Sequence, residues 1–479
     1  MNIFIFHRDL RLVDNTALIK APTPIVPIFI FIDEQIDPNK NKYFSNNSVQ
    51  FMCESLIDLN KSLNKLGSQL HTFQASSVTQ QLELLHKQHT INSITQNKDF
   101  SLYAHTRDNA IQKWCDSQNP KIIFNNIPND YDVVPEDACL LANNKPYYVL
   151  AAYYNRVMKE LKEKRVIISV NNHTYKNKDF KNGTVVNTHT IKLDSINKYY
   201  KHNPNLIANG GRTNALKRLG ILTKLHNYNT DRNFPALEMT TQLSAHLKFG
   251  TISVRELIHA LIREFKLSEQ HPDHALFREL VFRSFYIKMA LENTGLQRSI
   301  SFRQDIDKHI PWLAKSDPSY AKLWKAWISG NTGFPLVDAG MRQLNTTGYM
   351  HGRVRMVAAT VLTRYFMIDW RDGAKYFAQQ LTDYDPISNN MGWQFSASLG
   401  ENSQNIYRAP MNPFLQSANY DKDAVYIKKY IPELKDVPNK IIHKGTWDPE
   451  KTNYTLPIVD QKAVSAKAVS IWRNIAKKS

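Results

Sequence analysis

The segment DYDPISNNMGWQF, residues 383–395, concentrates side chains that could serve a polar and flat partner. It holds the carboxylates Asp383 and Asp385, two adjacent amides and an indole, followed by a phenylalanine. Neither helical nor strand periodicity accounts for this mixture. Carboxylates and amides can orient a ligand by hydrogen bonds, whereas an indole offers a large aromatic face. The segment therefore predicts a site for a polar, aromatic ligand.

A second cluster of polar groups lies in MTTQLSAHLKFGTIS, residues 239–253. The hydroxyls of Thr240, Thr241 and Ser244 and the amide of Gln242 precede a helix-like run. Donors gathered near a helix N-terminus favour a phosphate. Ordinary N-capping explains any single one of them equally well, so only the cluster as a whole indicates an anion.

A third candidate is YMHGRVRM, residues 349–356, which we predict to lie in a helix continuing to about Met367. Gly352 and Met356 are four residues apart and share a helical face, while Arg353 is rotated from Gly352 by about 100°. A glycine beside a methionine would leave a shallow apolar floor next to basic groups. The alternative is a packing face with solvated arginines.

Tryptophans are frequent in the C-terminal half of the chain, and five of them lie between residues 312 and 393. Buried indoles are normally core or interface anchors, so no single one indicates a function. The set comprises Trp312, Trp324, Trp327, Trp370 and Trp393.

Composition limits the class of protein. A chain of 479 residues with 42% hydrophobic and 11% aromatic residues predicts a folded protein of two domains. It contains no apolar run of about 18 residues, and its opening MNIFIFHRDLRLVDN is typical of a buried strand and not of a signal peptide or membrane span. Three cysteines without a CxxC pattern predict neither disulfides nor a metal site, and favour an intracellular location.

The charge of the chain allows two interpretations. Lys and Arg total 61 against 43 acidic residues, which gives a net charge of +18 and a pI near 9.5. This balance is typical of nucleic-acid binders. A soluble, Lys- and Asn-rich protein from an AT-rich genome would have the same charge, so both interpretations stay open.

Hydrophobic patterning predicts the elements that would position these residues. Apolar runs at 3–6 and 25–32, an amphipathic helix over 49–67 ending at Gly67, and a short run at 122–124 indicate a doubly wound parallel sheet. No GxGxxG or GxxxxGK[ST] motif occurs in it. We predict an α/β domain over residues 1–135, a polar connector over 136–205 and a mostly helical domain over 206–479.

Several long motifs occur in an order that resembles one known family. They are FHRDLRLVDNTAL, NFPALEMTTQLSAHLKFGTIS, GNTGFPLVDAGMRQLNTTGYMHGRVRM, IDWRDG, DYDPISNNMGWQ and YIPEL. Together they resemble the photolyase/cryptochrome family from the first strand to about residue 445. The resemblance implies an α/β antenna domain joined by a connector to an all-helical domain that holds FAD in a folded conformation.

The resemblance also implies which residues hold the cofactor. Asn389 matches the residue facing flavin N5, Arg355 and Asp383 match a salt bridge over the flavin ring, and Asp385 matches a carboxylate beside it. The remaining matches are Tyr228, Thr240, Thr241, Gln242, Leu243 and Ser244 at the flavin diphosphate, and Arg283.

The same resemblance implies a function for three of the tryptophans. Trp393, Trp370 and Trp312 match an electron-transfer triad that runs from the flavin to the surface. Close, easily oxidised indoles let a hole move outward in short steps. The distal position stays open between Trp312 and Trp324, because the spacing from Trp312 to Trp327 is longer than in the relatives.

Within the family, the residues resemble class I-type repair enzymes for cyclobutane pyrimidine dimers. Gly352 and Met356 stand where repairers of six-four photoproducts have two histidines, and Met356 and Glu279 match the dimer repairers. The implied catalytic residues are Glu279, Met356 and Asn389. The implied lesion-binding residues are Arg232, Glu279, Phe282, Gly352, Arg353, Met356 and Phe395.

Three departures keep other functions open. Phe282 and Phe395 replace two tryptophans that cradle the lesion, Gly352 replaces an asparagine, and Ser284 replaces an acidic residue. A cryptochrome-like blue-light receptor with weak or no repair, or a photolyase of altered lesion specificity, is the alternative. A DNA-binding module without enzymatic activity would not need the flavin cluster.

The implied partner is UV-damaged DNA, single- or double-stranded, bound by a monomer in the cytoplasm or nucleus, with no membrane and no metal. A folate or a deazaflavin could serve as antenna chromophore, and neither is indicated by the residues.

Overall fold

The computed structural model describes residues 1–400 and 409–477. This part of the chain divides into two compact units. Unit 1 contains residues 1–204, 208–226 and 241–292. Unit 2 contains residues 205–207 and 227–240 and the chain from Asn293 onward.

Unit 1 is built on one five-stranded parallel sheet. The spatial order of its strands is β3-β2-β1-β4-β5. In sequence they are β1 (Asn2–Ile5), β2 (Ile25–Ile32), β3 (His71–Ala75), β4 (Ser93–Asn97) and β5 (Ile123–Ile127). All eight residues of β2 are buried, as expected for a parallel strand covered on both faces. The predicted doubly wound sheet is confirmed.

Each face of this sheet has its own hydrophobic core. Phe4 and Phe6 pack into a core with helix residues such as Phe51, while Ile3 and Ile5 point into the other core. The alternation follows from the two-residue repeat of a strand. A strand that is covered on both faces therefore has to be apolar along its whole length, and such a run can be recognised in the sequence.

Besides the sheet, the described residues form α-helices and irregular segments. Up to residue 292 the helices are α1 (Asp33–Ile36), α2 (Asn46–Asn64), α3 (Val78–Gln88), α4 (Leu102–Ser117), α5 (Leu150–Lys162), α6 (Arg212–Leu219), α7 (Tyr228–Asp231), α8 (Ser244–Phe249), α9 (Val254–Phe265) and α10 (Ala275–Glu292).

Beyond residue 292 they are α11 (Gln304–Asp307), α12 (Pro318–Ser329), α13 (Pro335–Thr347), α14 (Gly352–Thr360), α15 (Trp370–Gln380), α16 (Pro386–Ser396), α17 (Pro413–Tyr420), α18 (Val425–Tyr430), α19 (Asn439–Lys444), α20 (Pro449–Thr452) and α21 (Gln461–Ala476). The predicted mostly helical second half is confirmed for the described residues.

The predicted helix over 49–67 is confirmed with shifted ends. It begins after Ser45, whose hydroxyl accepts a hydrogen bond from the Ser48 amide, and it ends at Asn64. Its last turn tightens, because the Gly67 amide bonds to the Asn64 carbonyl three residues back. Gly67 then takes a left-handed φ of 68°, which suits glycine.

The predicted helix over 349–367 is shorter at its start and irregular at its end. It begins at Gly352, because His351 caps it by accepting a hydrogen bond from the Arg353 amide. Residues Val361–Tyr365 continue it as a π-helical turn. Met367, with a φ of 57°, ends it.

The polar segment that follows α5 attaches to the sheet of unit 1. The Lys181 amide donates to the Ile25 carbonyl, and the Ile191 amide donates to the Thr72 carbonyl. These bonds satisfy backbone groups that an irregular segment would otherwise leave to water.

Within the described residues, no helix is both long enough and apolar enough to span a membrane.

Candidate functional site

The first residues of the DYDPISNN motif form the N-terminus of α16. The Asp385 carboxylate caps the helix by accepting hydrogen bonds from the Ile387 amide at 3.1 Å and the Ser388 amide at 2.9 Å. Pro386 occupies the first helical position, where no amide hydrogen is needed. Asp385 is therefore a capping residue in unit 2, in addition to its predicted place beside the flavin.

Asp383 is an ion-pair residue. Its Oδ2 lies 3.1 Å from a terminal nitrogen of Arg355, and Arg355 Nε also donates to the Met350 carbonyl at 2.7 Å. The carboxylate is 8% exposed and the guanidinium 29% exposed, so one side of the pair faces outward. The Arg355–Asp383 bridge expected from the motifs is present in the structure.

Tyr349 extends this group to Thr240. Its hydroxyl lies 3.4 Å from Thr240 Oγ1, and the Arg355 guanidinium lies 5.5 Å from the centre of its ring. Unit 2 thus brings Thr240, Arg355 and Asp383 together. Sequence reasoning missed Tyr349, whose only signal was its place at the start of the YMHGRVRM motif.

The two adjacent amides on α16 have different environments. Asn390 is buried and donates to the Leu296 carbonyl at 2.9 Å. Asn389 is half-buried and donates from Nδ2 to the Ala374 carbonyl on α15 at 3.0 Å. This bond orients the Asn389 side chain and leaves its amide oxygen as an acceptor.

The Trp393 indole packs tightly against α15. A Cβ atom at Gly373 would lie 2.2 Å from a carbon of this indole, so the close approach requires glycine there. The ring centre of Phe377 is 4.9 Å away, and that of Trp327 is 5.9 Å away. Trp327 is a contact that sequence reasoning did not foresee.

The residues of the YMHGRVRM motif divide into buried and open positions. A Cβ atom at Gly352 would meet nothing within 4 Å, so there is open space at this point. Arg353 donates to Asn233 Oδ1 at 2.5 Å and lies 4.5 Å from the ring centre of Tyr420. Burial, and then Arg355, lower the pKa of His351 to about 4, so its imidazole is neutral at pH 7. Met356 is half-buried.

Two further predicted residues of unit 2 lie on or beside α7. Tyr228 is buried at the first position of this helix. The Arg232 guanidinium lies 5.8 Å from the centre of the Tyr228 ring.

The polar cluster over 241–244 belongs to unit 1. Helix α8 starts after Leu243, and no side chain caps it. Thr241 Oγ1 instead accepts a hydrogen bond from the Leu243 amide at 3.4 Å, while Ser244 is exposed. Gln242 has a left-handed φ of 51°. Capping of α8 therefore does not account for these hydroxyls.

Helix α10 of unit 1 carries the predicted residues Glu279, Phe282 and Arg283. Glu279 and Phe282 are half-buried. Arg283 donates to the Tyr131 carbonyl at 2.6 Å, so it also holds the loop after β5. Ser284 is buried and contacts Asp132 and the Tyr153 hydroxyl. Phe395 lies at the end of α16 in unit 2 and is half-buried.

The predicted triad residues differ in their surroundings. Trp370 is fully buried, and the Arg371 guanidinium lies 4.7 Å from its ring centre. Trp312 is half-buried and donates from Nε1 to Asp307 at 3.1 Å. Trp324 stacks on Trp327 with ring centres 5.6 Å apart.

The exposed side of the residues around α14 and α16 fits a flavin. It offers the Asn389 oxygen and the outward side of the Arg355–Asp383 pair. The buried hydroxyl of Thr382, the residue before Asp383, has no hydrogen-bond partner among the described residues. An isoalloxazine carries N–H groups, carbonyls and a flat ring, which are the groups that such a donor set can hold.

Comparison with known proteins identifies the family. Residues 2–173 match the family described as DNA photolyase, and residues 276–474 match the FAD binding domain of DNA photolyase. A deoxyribodipyrimidine photo-lyase of Buchnera aphidicola subsp. Acyrthosiphon pisum is 30% identical over 98% of this chain and 96% of its own length. The chain belongs to the photolyase/cryptochrome family.

Solved structures of photolyases agree with this assignment. An archaeal photolyase from Sulfolobus tokodaii, whose crystal structure contains two FAD molecules, is 32% identical, with a TM-score of 0.81 over 98% of this chain and 99% of its own. A class III photolyase from Agrobacterium tumefaciens is 26% identical, with a TM-score of 0.84 over 99% of this chain and 97% of its own. The photolyase fold and the FAD-binding domain predicted from the motifs are confirmed.

Proposed function

We propose that this photolyase-family protein is a deoxyribodipyrimidine photo-lyase, which splits cyclobutane pyrimidine dimers in UV-damaged DNA with blue light. The observation that carries the proposal is the group formed by the Arg355–Asp383 ion pair, the oriented amide of Asn389 and the indole of Trp393 in one unit. It contains the residues that a photoactive flavin needs, in a chain whose relatives are named as photo-lyases.

FAD is held by the residues assigned to it from the motifs. They are Tyr228, Thr240, Thr241, Gln242, Leu243, Ser244, Arg283, Arg355, Asp383, Asp385 and Asn389. When bound, FAD supplies the absorption of blue light and the electron that opens the cyclobutane ring. The bond from Asn389 to Ala374 keeps the amide oxygen available as an acceptor for a flavin N–H.

The lesion is recognised outside the DNA stack. A damaged, weakly stacked step costs least to extrude, which makes flipping selective for the dimer. Glu279 hydrogen-bonds a pyrimidine carbonyl and stabilises the radical anion of the dimer, and Met356 lines the pocket. Arg232 and Arg353 neutralise the flanking phosphates, so binding weakens as salt rises.

Two phenylalanines replace the aromatic residues that usually stack on the dimer. Stacking of a base on an aromatic side chain is worth roughly 1–3 kcal/mol, and a phenyl ring offers less area than an indole. Phe282 and Phe395 therefore bind the lesion more weakly than two tryptophans would. The open space at Gly352 makes the pocket wider than an asparagine would.

These departures favour a second candidate function. A cryptochrome-like receptor would keep FAD and the tryptophans but would need no tight lesion pocket. Asn389 favours repair, since plant-type receptors usually carry aspartate at that position. A photolyase with altered lesion specificity is the intermediate case.

The protein acts as a monomer inside the cell, in the cytoplasm or nucleus. Its three cysteines are all free and buried, in keeping with a reducing compartment. Its antenna chromophore, if it has one, is a folate or a deazaflavin; in the Sulfolobus tokodaii relative the second FAD implies a novel light-harvesting cofactor.

Illumination of the purified, reduced protein with defined oligonucleotides tests the function. We expect thymines to be restored in dimer-containing DNA and six-four photoproducts to persist. A yellow protein that repairs neither lesion would refute the repair function and favour the receptor. Repair of six-four photoproducts alone would refute the assigned lesion.

A further inference from the structure

A continuous row of aromatic rings leads in unit 2 from Trp393 along α12 to Tyr320. From Trp393 to Trp327 the ring centres are 5.9 Å apart. From Trp327 to Trp324 the distance is 5.6 Å, and from Trp324 to Tyr320 it is 6.3 Å. The last two pairs are stacked, with interplanar angles of 25° and 20°. Electron exchange falls steeply with distance, so rings this close exchange electrons fastest.

Burial decreases from Trp327 to Trp324. Trp327 is fully buried, whereas Trp324 is partly exposed. A positive charge is costly in the interior and less costly near water. A hole placed on the inner indole is therefore driven outward. Trp327 Nε1 donates to the Ala358 carbonyl, which is not a base, so this indole keeps its proton and exchanges only an electron.

The outer end of the row has a proton acceptor. The Tyr320 hydroxyl donates to Asp372 Oδ2 at 2.9 Å, and Lys315 lies 2.6 Å from the other oxygen of this carboxylate. A phenol is readily oxidised only when its proton leaves with the electron. Burial, and then the bond to Asp372, raise the pKa of Tyr320, so the phenol carries its proton at neutral pH and must release it on oxidation.

A second tyrosine on the row lacks this acceptor. The Tyr376 ring lies 5.9 Å from Trp324 and 5.8 Å from Trp327, but its hydroxyl donates to the amide oxygen of Asn345. An amide oxygen is too weakly basic to keep the proton. Ring contact is thus common to both tyrosines, and only Tyr320 contacts a carboxylate.

We propose that Trp393, Trp327, Trp324 and Tyr320 form a second branch of electron transfer, which ends in a neutral tyrosyl radical with its proton on Asp372. This inference rests on the proposed function, which supplies excited oxidised flavin as the oxidant at Trp393. Each residue passes one electron inward to its neighbour. In sum, Tyr320 loses one electron, which reduces the flavin, and one proton, which moves to Asp372 Oδ2.

The branch that contains Trp370 has a different electrostatic setting. The Arg371 guanidinium over the Trp370 ring makes a hole on that ring less stable, although its pairing with Asp307 and Asp369 weakens this effect. Both branches begin at Trp393, so a hole there divides between them. The α12 branch is the one that ends in a phenol with a carboxylate acceptor.

Flash spectroscopy on the oxidised, FAD-loaded protein without DNA tests the branch. We expect a tyrosyl radical in the wild type, its loss in Tyr320→Phe and Trp324→Phe, slower formation in Asp372→Asn, and slower formation in heavy water. Tyr376→Phe is the matched control and should keep the signal. An unchanged tyrosyl signal in Tyr320→Phe, or its loss in Trp370→Phe but not in Trp324→Phe, would overturn the proposal.

A second readout does not depend on flavin photochemistry. Azide radicals generated by pulse radiolysis oxidise tryptophan in preference to tyrosine, and the later transfer from tyrosine is seen as a tyrosyl absorbance. We expect less of this transfer in Tyr320→Phe than in Tyr376→Phe; equal amounts would contradict the branch. Near-UV circular dichroism verifies that each variant is folded. Dimer repair by chemically reduced wild type is measured alongside, so a failed repair function is distinguished from a failed branch.

Discussion

The interior of unit 1 near the strand ends contains paired charges, whereas the core of unit 2 contains aromatic rings. At the strand ends, the Asp130 carboxylate accepts two hydrogen bonds from Arg11, at 2.7 and 2.9 Å, and others from Arg255 and Thr16. Both Arg11 and Asp130 are almost completely buried. The core of unit 2 instead contains Trp327, Trp370, Trp393 and Trp472 among aliphatic side chains.

The two regions should therefore lose different properties when a residue is substituted: stability in unit 1, and electron transfer in unit 2. A buried charge that loses its partner remains in a medium that solvates it poorly, so the loss appears as lost stability. An indole replaced by a phenyl ring keeps most of its packing but loses an easily oxidised group. Substitutions of the buried charges in unit 1 should therefore affect folding, and substitutions of the electron-transfer aromatics in unit 2 should affect photochemistry.

The largest effect is expected for Asp130→Ala. The substitution leaves the buried Arg11 guanidinium without its carboxylate, and breaking a buried pair costs about 3–5 kcal/mol. Urea unfolding followed by circular dichroism measures the change. The control is Glu83→Ala, which breaks an exposed pair with Lys87 and should cost less than about 1 kcal/mol. Equal losses in the two variants would contradict the contrast.

The pH dependence of stability should reveal a second buried carboxylate in unit 1. Burial, and then Asp130, raise the pKa of Asp9 to about 6, whereas an unfolded aspartate titrates near about 3.9. The folded state binds the extra proton between these values, so this contribution to stability falls by about 2 kcal/mol as the pH rises from about 4 to about 6.

Asp9→Asn isolates this effect, because it removes the titrating group. The unfolding free energy of the wild type minus that of the variant should fall by about 2 kcal/mol over the same pH range. Burial lowers the pKa values of His71 and His246 to about 4, and these groups act in the opposite direction. They are present in both proteins and cancel in the difference. A difference independent of pH would show that Asp9 does not titrate there.

In unit 2, Trp393→Phe should slow photoreduction of the oxidised flavin at least about tenfold, equivalent to about 1.4 kcal/mol in the barrier. Both proposed branches begin at this indole. Trp447→Phe is the control, because Trp447 is also buried in this core but bonds to the Tyr454 carbonyl. Its photoreduction rate should match that of the wild type. Equal rates in Trp393→Phe and wild type would refute both branches.

The smallest effect is expected for Gly352→Ala. A Cβ atom there meets nothing within 4 Å, and alanine in a helix is favoured over glycine by about 0.5–1 kcal/mol, so thermal stability should rise slightly. Gly373→Ala is the matched opposite, since its Cβ would collide with the Trp393 ring. Overpacking of this kind costs about 1–3 kcal/mol. A stabilised Gly373→Ala variant would show that α15 and α16 can separate.

Local patterns explain which predictions were confirmed. The strands over 3–6 and 25–32 were predictable because a strand buried on both faces needs continuous apolar residues. Family membership was also predictable, because long motifs such as DYDPISNNMGWQ keep their order along the chain. The start of α16 could have been predicted in more detail, since an aspartate before a proline is a frequent helix start.

Contacts between residues far apart in the sequence could not be predicted from such local patterns. The sequence alone determined the fold class, the family and the candidate residues, because apolar periodicity and motif order are written along the chain. Only the tertiary structure decided that Trp327 contacts Trp393, that Tyr320 contacts a carboxylate and that Tyr376 does not. These distances depend on how α12, α15 and α16 pack, and helix packing is decided by side-chain shapes from segments far apart in sequence.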